Sequence, residues 1–210
     1  SNTDGSINTT YTSVNTTAGF SISKYTGTGS NATVGHGLGV APKIVIIKKT
    51  SGADDWKVYH ASVGATKSLV LQGTNAETSD STSFNSTAPT TSVFSVGTSS
   101  ATNTSGQTYI AYCFAEKTGY SKFGSYQGNN NSNGSFCYLG FKASFIMVKS
   151  SSAGGSATYS WSIFDTKRSS YNIQRSQLEA NTANAEDTGE TADVDILSNG
   201  FKPRYSPNDT

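Results

Sequence analysis

Two tryptophans each open a short aromatic segment that closes on a polar, titratable side chain. The first runs Trp56-Lys57-Val58-Tyr59-His60 and the second Trp161-Ser162-Ile163-Phe164-Asp165, with Arg168 three residues further on. An indole offers a flat apolar face, and an adjacent carboxylate or guanidinium supplies directional hydrogen bonds. Together they make the chemistry of a site for sugar hydroxyls. The same Asp165 and Arg168 have a purely structural use, a charge-assisted pair that pins the loop after a strand. Trp56, His60, Trp161, Asp165 and Arg168 are therefore the candidate ligand-binding residues. His60 stands where Asp165 stands and no Arg follows it, so any binding at the two places differs.

Other chemistry finds little support. The chain has no Gly-x-Ser-x-Gly elbow, no phosphate-binding glycine loop and no Cys or His cluster at metal-ligand spacing. Glycoside hydrolysis needs two carboxylates held at a set distance. Asp54, Asp55, Glu77, Glu116, Asp165, Glu179 and Glu186 are available, but nothing pairs any two of them. The expectation is a non-enzymatic protein with no catalytic residues, no metal and no cofactor. Cys113 and Cys137 lie in apolar-aromatic stretches and read as small buried side chains, although a disulfide stays open.

The elements that carry these residues are set by a repeat. Leu38 to Lys48 matches Leu139 to Lys149 at a spacing of 101, each a glycine and an apolar run closed by lysine. Gly19-Phe20-Ser21 matches Gly119-Tyr120-Ser121, and Tyr25-Thr26-Gly27 matches Tyr126-Gln127-Gly128. The two tryptophan segments match each other, and Ala76-Glu77 matches Ala185-Glu186. Collinear matches of this kind imply a duplicated unit of about a hundred residues. Ser and Thr make up 62 of 210 residues and charged residues only 14%, while Tyr and Phe number 11 and 10. That balance suits antiparallel sheets with aromatic and β-branched residues facing a core and Ser/Thr facing water. A net charge of +1 gives no basic surface for nucleic acid. No apolar run approaches the length needed to cross a bilayer, so a soluble chain without membrane insertion is expected. The lack of a start methionine suggests a processed chain or a segment of a longer one.

The expected architecture is all-β, a tandem pair of antiparallel β-sandwich lobes of jelly-roll or lectin-like type. Residues 1–18 read as an N-terminal arm or linker with a possible strand, 19–118 as the first sandwich repeat and 119–210 as the second. Short strands are predicted over 20–25, 43–48, 56–59, 68–71, 93–96 and 109–114, then over 120–126, 136–141, 145–148, 159–164 and near 195–201. Residues 43–48 and 145–148 read as buried central strands, and 176–190 as one or two helical turns. The Gly/Asn/Ser loops, above all 128–134, read either as surface loops of the kind that carry recognition or as plain turns between strands. In the first repeat Phe94 leads into the aromatic strand 109–114. In the second, Phe201 leads only into a polar tail, so the second lobe is expected to lack its closing strand. Another chain or further residues would then complete the open edge.

Four stretches bring a resemblance. Residues 17–21 (Thr-Ala-Gly-Phe-Ser), 33–39 (Thr-Val-Gly-His-Gly-Leu-Gly), 108–126 (from Thr-Tyr-Ile-Ala-Tyr-Cys-Phe to Phe-Gly-Ser-Tyr) and 197–202 (Leu-Ser-Asn-Gly-Phe-Lys) look like one family. The chain, from about residue 4 to 204, resembles the duplicated lectin-like β domain of bacteriophage tail-fibre and virion-appendage proteins, many from aquatic phages. The resemblance implies a virion location, other virion subunits as partners in a homo-oligomer (a trimer by family habit), and a host surface polysaccharide or receptor as ligand. A capsid-decoration or fibre-shaft role without ligand is the alternative it leaves, and a polysaccharide depolymerase the third. It carries over no catalytic residue. Family members continue past a segment like 197–202 into a second aromatic strand, where this chain departs from the pattern.

Overall fold

The computed structural model describes residues 1–152, 159–189 and 193–204. The chain is an all-β, sandwich-like fold in which every pair of named strands is antiparallel. The first half supplies β1 (Tyr11–Asn15), β2 (Phe20–Thr26), β3 (Ala32–Gly35), β4 (Ile44–Lys49), β5 (Lys57–His60), β6 (Lys67–Val70), β7 (Thr78–Ser79), β8 (Val93–Val96), α1 (Ser100–Asn103) and β9 (Thr108–Phe114). The second supplies β10 (Cys137–Tyr138), β11 (Phe145–Val148), β12 (Ser162–Asp165), β13 (Leu178–Glu179), β14 (Val194–Leu197) and β15 (Gly200–Pro203).

A seven-stranded sheet of order β1-β2-β9-β4-β5-β6-β7 organises the first half, faced by the β3–β8 ladder. The aromatic strand β9 sits in its middle, between β2 and β4. Alternation explains why: Tyr109, Ala111 and Cys113 are buried on one face, with Ile110, Tyr112 and Phe114 half-buried on the other. Only a strand covered on both faces tolerates apolar residues at every position. The inward residues of this sheet pack on Val34, Phe94 and Val96 of β3 and β8. Tyr25 and Tyr109 stack there at 5.3 Å between ring centroids. Their hydroxyls donate to the carbonyls of Thr102 and Ser100, at 2.6 and 2.8 Å, and so tie α1 onto the sheet. Burying one such aromatic contributes about 1.5–3 kcal/mol.

Residues 1–18, read as an arm or linker with a possible strand, do hold a strand. Ile7 is part of the core, and β1 forms the outer strand of the main sheet, paired with β2 from Tyr11↔Lys24 to Asn15↔Phe20.

In the second half, β10, β15 and β14 form one sheet and β11, β12 and β13 another. Ile146 and Phe164 of the latter pack on Val194, Ile196 and Phe201 of the former. Several expectations change here. Residues 120–126 hold no strand, only a bridge between Lys117 and Ser121. The strand predicted over 136–141 shrinks to two residues. Residues 176–189 contain β13 and loops instead of helical turns, because pairing with β12 overrides the helix propensity of Ala, Gln and Glu. β11 is not a buried central strand: Phe145 and Met147 face outward, 59% and 37% exposed, and β12 is its only strand partner among the described residues. The polar tail after Phe201, from residue 205 on, lies outside the described residues, as does residue 190 of the predicted helical stretch.

Both cysteines are free thiols. Burial pushes Cys113 up to about 12 and Cys137 up to about 11, so neither is a ready nucleophile. No helix among the described residues is long and apolar enough to cross a membrane.

Candidate functional site

The two tryptophan segments fold alike. Trp56 immediately precedes β5; its N–H donates to Gln72 Oε1 at 2.8 Å and its carbonyl accepts from Leu71 N–H at 3.0 Å. Trp161 immediately precedes β12; its N–H donates to Asn181 Oδ1 at 2.7 Å and its carbonyl accepts from Ala180 N–H at 3.0 Å. An amide side chain two residues past the end of the neighbouring strand satisfies the same backbone donor in both. Lys48 and Lys149 repeat a second contact, donating to the carbonyls of Asp54 and Tyr159, each two residues before its tryptophan. At the other end of each strand, His60 Nδ1 accepts Ser62 N–H at 3.1 Å, and Asp165 Oδ1 accepts Lys167 N–H at 2.9 Å. Imidazole and carboxylate thus perform one job, closing the turn after the strand. Burial lowers the His60 pKa, which keeps the ring neutral and able to accept.

The rings part company. Trp56 lies half-buried against Tyr112, centroids 6.4 Å apart, with the Lys48 ammonium 5.7 Å from its ring centre. Trp161 is 8% exposed, packed with Val58 and Leu69 of the first half, and its Nε1–H donates to Val70 O at 3.0 Å. It joins the two halves and shows no open face to a sugar. Arg168 is equally engaged. Its Nε donates to Asp165 at 2.7 Å, Nη1 to Glu186 at 2.9 Å and Nη2 to Ile163 O at 3.0 Å. The Arg168 side chain, helped by the backbone N–H groups of Arg168 and Lys167, holds the Asp165 carboxyl down to about 2. Asp165 and Arg168 therefore meet, but Trp161 stands at the opposite end of β12, about 13 Å away at roughly 3.3 Å per residue. The five residues make no common site.

The remaining acidic groups are also tied to their surroundings. Glu116 accepts Phe123 N–H at 3.0 Å, Glu77 pairs with Lys67, and Asp55 accepts from Gln72. Among the described residues no group of three or more His, Cys, Asp or Glu side chains could hold a metal ion.

Two crevices lie where the halves join. One, of about 300 Å³, is aromatic and lined by Phe20, Phe114, Tyr120 and Phe123. Phe20 and Phe114 sit 4.8 Å apart there. The other, of about 500 Å³, is lined by Glu116, Lys117, Ser121, Lys122, Tyr138 and Phe141 among others. Tyr138 is 62% exposed, and the ammonium groups of Lys117 and Lys122 make no ion pair among the described residues. This second crevice, which sequence reasoning missed, combines an open ring with cationic donors.

No curated protein and no solved structure matches the chain. One family does, over residues 1–210, and the chain belongs to it: the domain of unknown function DUF7483.

Proposed function

We propose that the chain is a non-enzymatic adhesion module of a bacteriophage tail fibre or virion appendage, and that it contacts a host surface glycan through the crevice at Tyr138. The crevice is the observation that carries this reading. The Tyr138 ring offers an apolar face for the C–H side of a sugar. Lys117 and Lys122 line the same crevice and supply donors for ring hydroxyls or an acidic substituent. The resemblance of residues 17–21, 33–39, 108–126 and 197–202 to phage fibre domains supplies the setting: a virion location, oligomeric subunits and an envelope polysaccharide. The reading assigns no bond-breaking step to any carboxylate.

Glycan-array and envelope-binding measurements test it. Binding should weaken at least about tenfold in Tyr138→Ala, a loss of roughly 1.4 kcal/mol. Binding untouched by Tyr138→Ala, or none to any envelope glycan, would remove this reading. A structural role inside the particle would then remain, which the outward Phe145, Met147 and Leu178 favour.

A further inference from the structure

Residues directly opposite one another in antiparallel strands share a face. On the outer face of the first half, Ile46 is opposite Val58 and Val58 opposite Leu69, an apolar row across β4, β5 and β6. Trp161 covers this row, leaving Val58 1% and Leu69 3% exposed. The second half builds the same row. Met147 is opposite Ile163 and Ile163 opposite Leu178, across β11, β12 and β13. Each position is the repeat counterpart of one in the first row. Here no ring from the described residues lies over it: Met147 is 37%, Leu178 36% and the flanking Phe145 59% exposed, with Ile163 half-buried between them.

The group that covers the first row also has a counterpart. Trp56 occupies the place in the first half that Trp161 occupies in the second, with the same two backbone hydrogen bonds. The Trp161 indole N–H reaches Val70 O, whereas the Trp56 indole N–H has no hydrogen-bond partner among the described residues. The chain thus carries one used pair, Trp161 on the first row, and one unused pair, Trp56 and the second row. The unused pair cannot be joined within one chain by the same relation, since that relation carries the first half onto the second and the second onto a position beyond the chain.

We propose that a second copy of this chain occupies the exposed row, its Trp56 lying on Met147, Ile163 and Leu178 as Trp161 lies on Ile46, Val58 and Leu69. The Trp56 indole N–H then donates to the carbonyl of Glu179, the counterpart of Val70 by the matching bonds of Leu71 and Ala180. The contact continues the interface already present between the halves. It is heterologous, so each copy gives one surface and accepts another, and assembly proceeds head to tail. It is independent of the glycan reading, because Tyr138 takes no part in it.

Sedimentation velocity on the full chain, from about 1 µM to about 1 mM, tests the contact. The wild-type chain should grow in mass with concentration, and its tryptophan emission should shift to shorter wavelength as Trp56 is covered. Trp56→Ala and Leu178→Glu, both at solvent-accessible positions, should each remain monomeric with an unchanged circular-dichroism spectrum. Mixed one to one, the two variants should form a dimer and nothing larger, since each supplies the surface the other lacks. A wild-type chain that stays monomeric throughout overturns the proposal, as does assembly unaffected by Leu178→Glu. Folded variants that fail to complement each other also overturn it, because that pattern belongs to a symmetric contact or to another surface.

Discussion

His36 has no exposed surface. Its Nδ1 accepts the Leu38 N–H at 3.1 Å, and its Nε2 donates to Thr90 O at 3.2 Å. The ring is therefore held as one neutral tautomer, and a second proton on Nδ1 would point at a donor. Burial lowers its pKa below 6.5, with the Thr90 carbonyl and Asp4 opposing. A folded-state pKa below the unfolded one means that stability is fully present above about pH 6.5 and is lost as pH falls. Melting temperature should drop between about pH 7.5 and pH 5.5, with His60 adding to the same slope. His36→Asn keeps an oxygen acceptor for Leu38, and thermal melts across this range should show a shallower slope despite a lower plateau. Asp80 works by the opposite charge logic. Burial pushes its carboxyl up, but hydrogen bonds from Ser83, Ser68 and Thr82 outweigh that and hold it well below the usual range. Neither role is legible in the sequence, where each residue is a single polar letter just past a strand.

At the scale of elements, a strand exists here where its backbone groups find partners. Residues 20–26 and 120–126 share the Gly-aromatic-Ser opening, yet only the first form a strand, because β1 and β9 flank it on both sides. β15 shows how close such partners come. A Cβ on Gly200 would lie 2.2 Å from the Cys137 carbonyl oxygen and 2.9 Å from the Phe136 ring. Gly200→Ala must push β10 off β15, at a cost of about 1–3 kcal/mol typical of overpacking. Urea unfolding should show that loss, whereas a midpoint equal to wild type would mean that β10 and β15 are not paired this closely. α1 was invisible beforehand because four residues carry no period. It stands on the Ser99 side chain, which accepts the Ala101 N–H, and on the two tyrosine hydroxyls.

For the whole molecule, Trp161 is the main tie between the halves, helped by Lys149 Nζ donating to Thr74 O and Glu77 N–H donating to Ser151 O. Trp161→Ala removes a buried ring and its hydrogen bond, a change that costs about 3–5 kcal/mol. Followed by urea denaturation, the variant should unfold earlier and in two resolved steps, one for each core. A single unshifted transition would show that the halves do not depend on this contact.

Composition and alternation were enough to call for antiparallel sheets, because strand formation by β-branched and aromatic residues is a local, periodic property. The collinear matches were equally legible, and they pair Trp56 with Trp161 and His60 with Asp165, which share the same backbone contacts. Which way those rings turn was not. Trp161 and Trp56 share a motif and a backbone setting, but one is buried under the other half and one is not. That outcome depends on what lies across the sheet, not on the neighbours along the chain. The same holds for the apolar row of β11, β12 and β13, identical in pattern to a buried row and exposed in fact. Periodicity determined the strands and their faces; only the tertiary arrangement decided which faces were covered, since burial is a relation between distant segments that no local pattern encodes.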